Sequence, residues 1–272
     1  MSFIKHHILL TLSLLLVITL TLSECKKDAS PTSKTTYQLL VKDQLGVSGT
    51  VTFTQTSSTI TTVLITITGS DSAYHPAYIR SNSAVEGGAV AITLTPVIGG
   101  SSTTQVTRLD NGSAINYSQL TQIDGYLDVD ESSSNQSLII AEGDVGGNLL
   151  TGTKINYTLD TVGTLGVSGT ALFAQRVNGN TLVSVSLTGT LTGAEYPAGI
   201  YLGSVATVGG GPLTRTLDSI SGTSGKSYTN IRTLNDGTVV TYANLLVYDG
   251  YIAIQQSGAS NSIICEGNIG GH

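Results

Sequence analysis

Few side chains in this sequence have the chemistry that catalysis or metal binding usually needs. Four histidines occur in 272 residues, and His6 and His7 precede an apolar run, which leaves His75 and the terminal His272. His75 is the one candidate base for a nucleophilic triad, but no Gly-x-Ser-x-Gly elbow leads into a helix to present a serine. A carboxylate pair for glycoside cleavage would have to come from Asp124, Asp128 or Glu142, with Asp249 and Glu266 as later counterparts. A calcium site would draw on His75 with Asp71, or on Asp128, Asp130 and Glu131. Asp128 and Asp130 alternate onto one strand face, and their plainer reading is a solvated strand edge. Gly87-Gly88 and Gly209-Gly210-Gly211 read as hairpin loops, since no helix follows to bind phosphate. No catalytic residue, metal ligand or cofactor is assigned on this basis.

The elements that position these residues occur twice. Gly46-Val47-Ser48-Gly49-Thr50 returns as Gly166-Val167-Ser168-Gly169-Thr170, an offset of 120 (166 against 46). Phe53-Thr54-Gln55 returns as Phe173-Ala174-Gln175, and Tyr74-His75-Pro76-Ala77-Tyr78-Ile79 as Glu195-Tyr196-Pro197-Ala198-Gly199-Ile200. Asp124-Gly125-Tyr126 becomes Asp249-Gly250-Tyr251, and Glu142-Gly143-Asp144-Val145-Gly146-Gly147 becomes Glu266-Gly267-Asn268-Ile269-Gly270-Gly271. So long a period exceeds solenoid repeats of roughly 20–50 residues, and each copy is expected to be a domain. The recurring Asp-Gly is a turn signal first, and Glu-Gly sits where a closing strand ends. Ala253 and Gln255 stand where the first copy has Asp128 and Asp130.

Lys5, His6 and His7 precede the apolar run from Ile8 to Leu22, which is short for a transmembrane helix of about 20 residues and fits a secretory signal peptide. Leu22-Ser23-Glu24-Cys25 then resembles a bacterial lipobox, with Glu24 departing from the small residue usual before the cysteine. Residues 1–24 are therefore expected to be a lipoprotein signal peptide and Cys25 the site of acylation by palmitate-type chains. Each buried CH₂ of such a chain contributes about 0.8 kcal/mol to membrane anchoring. With Cys25 acylated, Cys265 has no disulfide partner; the first copy has Ala141 near this place, so Cys265 reads as a small buried strand residue.

A net charge of −6 with 11% charged residues argues against nucleic acid as a partner, because that needs clustered Lys and Arg. The chain has 32 Gly, 5 Pro and no Trp, and Thr, Ser, Val and Ile fill much of the rest, a composition suited to pleated sheets. Val47, Val51 and Phe53 share one face of an alternating segment, as do Val63, Ile65 and Ile67. The segment Thr181–Thr188 repeats the device. Turns are expected at Asp110-Asn111-Gly112, Asn178-Gly179-Asn180 and Asn235-Asp236-Gly237. No segment after the signal peptide has a helical stripe. The expected fold class is all-β: two tandem antiparallel Greek-key β-sandwiches over 37–148 and 154–271, after a tether over 25–36 and with a brief link near 149–153.

The ordered motifs resemble the CHRD (chordin-type) domain: a Gly-x-x-Gly-Thr strand, a His-Pro-Ala segment, an Asp-Gly-Tyr strand and a Gly-Asp-Ile-Gly-like close. The resemblance implies an immunoglobulin- or Cu/Zn superoxide dismutase-like sandwich. A dismutase centre would need about six histidines and a carboxylate. Where the family's segment would offer His-x-His, this chain has Tyr78 and Arg80, then Gly199 and Tyr201. The expectation is a lipid-anchored protein of a Gram-negative-type cell envelope, in the outer membrane or at the surface, acting as a non-enzymatic binding or structural module. Tyr74, His75, Tyr78, Tyr196 and Tyr201 are its candidate binding residues, with an envelope protein or a glycan as partner. The competing expectations are a hydrolase with Glu142 and Asp124 converging in one cleft, a divergent metal-dependent enzyme, and a plain spacer.

Overall fold

Alternating apolar residues become antiparallel strands throughout the computed structural model, which describes residues 33–43, 46–207 and 209–272. The first copy supplies β1 (Lys34–Val41), β2 (Ser48–Gln55), β3 (Thr61–Thr68), β4 (His75–Ser81), β5 (Val90–Val97), β6 (Ser101–Val106), β7 (Asp124–Ser132) and β8 (Asn135–Gly146). The second supplies β9 (Leu150–Thr161), β10 (Ser168–Arg176), β11 (Thr181–Thr188), β12 (Glu195–Leu202), β13 (Leu213–Ser221), β14 (Lys226–Ile231), β15 (Asp249–Ser257) and β16 (Ser260–Gly270). The first eight form one sheet in the order β5-β4-β7-β8-β1-β2-β3-β6. The second eight repeat that order strand for strand and close into a barrel, because Ser221 of β13 pairs with Lys226 of β14. At the corresponding place the first copy has the isolated bridge Ile98 to Ser101, and its sheet stays open.

Each copy has its own core. Val47, Val51, Phe53, Val63, Ile65 and Ile67 are all buried in the first, and Val183, Val185 and Leu187 in the second. Fully burying such a side chain contributes about 1.5–3 kcal/mol. Tyr37 meets Phe53 edge-on at 5.0 Å between centroids, and Tyr157 meets Phe173 at 5.1 Å, so the same aromatic pair anchors both cores. Cys265 is fully buried, and desolvation raises its thiol pKa to about 12.

The repeated Gly-Val-Ser-Gly-Thr motif has a steric cause. A Cβ on Gly49 would lie 2.0 Å from the Thr66 carbonyl oxygen, and one on Gly169 would lie 2.0 Å from that of Ser186. The adjacent strand approaches too closely for any side chain there. Gly169→Ala is expected to cost about 1–3 kcal/mol through overpacking, read as a lower urea midpoint at unchanged slope. A midpoint equal to the wild type would show that the strands separate freely at this point.

Two single-turn helices are present, α1 (Tyr117–Leu120) and α2 (Tyr242–Leu245), each opened by a capping box, Asn116 with Gln119 and Thr241 with Asn244. One turn is too short to show a helical period, but each plugs its core with a buried leucine, Leu120 or Leu245. The brief link near 149–153 runs straight into β9, which begins at Leu150 and pairs there with Arg176. The expected tether overlaps β1, which begins at Lys34; Cys25 and the apolar run Ile8 to Leu22 lie outside the described residues.

Lys34–His272 forms one compact unit, and the two copies are joined within it by polar contacts. Arg176 is fully buried; its guanidinium donates to Asp144 Oδ2 at 2.5 Å and to the carbonyl of Asn148. Around it, the backbone N–H groups of Val177 and Asn178 donate to the carbonyls of Leu149 and Gly147, each at 2.8 Å. By the repeat register, Arg176 replaces Thr56 of the first copy and Asp144 replaces Asn268 of the second. The copies thus diverge where they touch each other.

Candidate functional site

The two Pro-Ala segments lie on β4 and β12, and the structure disperses their candidate residues between surface and core. Tyr74, just before β4, is 54% exposed. His75 is 3% exposed: its Nδ1–H donates to the Glu131 carbonyl at 2.8 Å, and Nε2 faces Asp71 Oδ1 at 3.0 Å. The ring therefore latches β4 to β7 and leaves no free edge for a ligand. Tyr78 is half-buried, its hydroxyl accepting from Gln136 Nε2 at 3.0 Å, with the Arg80 guanidinium carbon 5.0 Å from its ring centroid. Tyr196 packs in the second core and its hydroxyl accepts from the Leu191 N–H at 2.9 Å. Tyr201 is half-buried and stacks on Tyr251 at 5.4 Å.

Beside Tyr78 lies a cluster that sequence reading placed on a solvated edge; this is a correction. Asp128 and Asp130 are 1% and 0% exposed. Arg80 Nε donates to Asp128 Oδ2 at 2.6 Å, while both Asp130 oxygens are without a partner among the described residues. Burial pushes Asp130 up to about 7, with the neighbouring Asp128 charge adding to the rise and Arg80 opposing it. Burial also raises Asp128, against the pull of Arg80. The only hint in the sequence was that Ala253 and Gln255 replace these aspartates in the second copy, together with Tyr201 in place of Arg80.

The repeated carboxylates do not converge. Asp124 pairs with Gly146 and Asp128 with Glu142, so four residues separate Asp124 from Glu142 along the ladder, about 13 Å. The second copy has the same register, Asp249 with Gly270 and Ala253 with Glu266. Inverting glycosidases hold their carboxyls roughly 6.5–9.5 Å apart, and retaining ones closer still. Each of three members already has a cation or imidazole: Glu142 accepts from Lys42 at 2.7 Å, Asp249 faces His272 Nε2 at 2.7 Å, and Asp124 lies 3.5 Å from Arg232. Among the described residues, no group of three or more His, Cys, Asp or Glu side chains is placed to hold a metal ion.

Two concavities deserve comparison. An apolar one of about 200 Å³ lies at one end of the second barrel, walled by Leu165, Val167, Leu191, Ala194 and Tyr196. In the first copy the register puts His75 and its Asp71 latch at the places of Tyr196 and Leu191. The other is a polar groove where the copies meet, of about 290 Å³. Comparison with protein-family models, with curated proteins and with solved structures gives no match to this chain.

Proposed function

We propose that this chain is a lipid-anchored protein of the cell envelope whose two CHRD-like copies act together as a non-enzymatic binding or interaction module. The observation that carries the reading is the state of the chemistry-bearing side chains. His75 is buried with both nitrogens engaged, Cys265 is buried with its thiol pKa raised, and the repeated carboxylates stand about 13 Å apart. What faces solvent is Tyr74 beside β4, with half-buried Tyr78 and the Asp128-paired Arg80 next to it. The crossover order, with β3 beside β6 and β4 beside β7, supports a Greek-key sandwich in each copy. The anchor at Cys25 rests on the apolar run and the Leu22-Ser23-Glu24-Cys25 motif.

Expression of the full chain in a bacterial host with radiolabelled palmitate tests the anchor. The wild type is expected to take up label and enter the detergent phase, and Cys25→Ser to do neither. Label retained by Cys25→Ser would sink the anchor assignment. For binding, Tyr74→Ala with Tyr78→Ala is expected to weaken saturable association with isolated envelope fragments at least tenfold, as removal of an aromatic anchor does.

A further inference from the structure

The groove between the copies has a chemistry that its fold leaves unsatisfied. It is lined by Val85 and Glu86 from the first copy and by Arg215, Asp218, Thr229 and Asn230 from the second. Asn230 is 1% exposed, and its Nδ2 donates to Glu86 Oε2 at 3.1 Å, which fixes the amide orientation. Its Oδ1 is then a buried acceptor without a donor among the described residues. Arg215 Nε–H is the converse, a buried donor without an acceptor among them. Glu86 is held for its part, because the N–H and hydroxyl of Ser83 donate to Oε2 at 3.0 and 2.9 Å. Asp218 stands exposed beside them.

The repeat supplies an internal reference. Arg215 lies opposite Ile200 on β12, and the matching pair in the first copy is Ile92 opposite Ile79, both in the core. A guanidinium thus occupies a place where the other copy has a core isoleucine. A buried donor and a buried acceptor left unpaired both weaken the folded chain, and such groups in native proteins usually meet a water or a ligand.

We infer that this groove binds one sugar ring of a glycan through vicinal hydroxyls. A hydroxyl both donates and accepts, so neighbouring hydroxyls can give a proton to Asn230 Oδ1 and receive one from Arg215 Nε. The carboxylates of Glu86 and Asp218 accept from further hydroxyls. Those same carboxylates repel a phosphate or carboxylate ligand, and Arg215 repels a cation, so a neutral polyol fits best. A volume of about 290 Å³ lies at the small end of ligand sites, suited to a single ring.

The inference rests on the binding reading above but on different residues, so the two can fail separately. The test is saturation-transfer NMR on the full chain, in a detergent without a sugar headgroup, with the methyl glycosides of glucose, galactose, mannose and N-acetylglucosamine. At least one glycoside is expected to receive saturation. Arg215→Ile, which copies the first copy's residue, should abolish it, and the exposed-site variant Asp218→Ala should weaken binding about tenfold. Tyr74→Ala with Tyr78→Ala should leave it unchanged. Thermal melts confirm that each variant is folded, and Asp218→Ala keeps the test decisive if Arg215→Ile is not. Saturation of none of the four, or saturation that survives both groove variants, overturns the inference. Loss confined to the tyrosine variant also overturns it, and moves binding to the Tyr74 patch.

Discussion

Asp144→Ala is expected to lower the unfolding free energy by about 3–5 kcal/mol, the usual cost of leaving one member of a buried ion pair uncompensated. Arg176 is fully buried, and its Nε and Nη2 are already without partners among the described residues. Removing the Asp144 carboxylate leaves the guanidinium with the Asn148 carbonyl alone. The double variant Arg176→Met with Asp144→Asn should recover much of the loss, because an apolar side chain of similar length fills the site without a charge. Since the pair bridges the two copies, Asp144→Ala should also separate their unfolding into two transitions in urea. A single transition within about 0.5 kcal/mol of the wild type would show that the backbone contacts around Val177 and Asn178 hold the joint alone.

The second large effect depends on pH. Asp130 has a usual carboxylate value of 3.8 when unfolded and about 7 when folded, so the folded chain binds the extra proton between those limits. Stability is therefore highest at the acidic end, falls as pH rises from about 4 to about 7, and stays reduced above that. Summed over that pH range, the loss of stability is at most about 4 kcal/mol. The groups that set it are Asp128 across the strand face, which raises it further, and Arg80, which opposes. Asp130→Asn removes the ionisation. The variant should match the wild type near pH 4 and exceed it at pH 8.5, with a Tm higher by roughly 5–15 °C. Melting curves that stay parallel across this range would mean that Asp130 is hydrated and ionises freely.

Much of the fold was legible because alternation is a local property. Val47, Val51 and Phe53 must face one way in any strand, and the paired motifs, 120 residues apart at their start, require the same strand order twice. The Gly49 and Gly169 positions carry their own message, since only close strand approach demands glycine at both. The candidate site was less legible. Tyr74, His75 and Tyr78 are near neighbours in sequence, but strand alternation and a latch to Asp71 and Glu131 send them to different environments. Asp128 and Asp130 looked like a solvated edge because burial is decided by what covers a face, which no pattern within β7 records.

By itself the sequence determined that the chain is all-β, that it is built twice on one plan, and which strand faces are apolar. Only the tertiary structure decided that the second copy closes into a barrel while the first stays open, and that Arg176 and Asp144 join the two. It also decided that Asn230 and Arg215, each with a buried polar atom unpaired among the described residues, line one groove between the copies. The physical reason is range. Periodicity and turn residues act over a few neighbours, whereas burial, ion pairing and an orphaned hydrogen bond depend on groups brought together from 32 residues away, as for Arg176 and Asp144, or 144 away, as for Asn230 and Glu86.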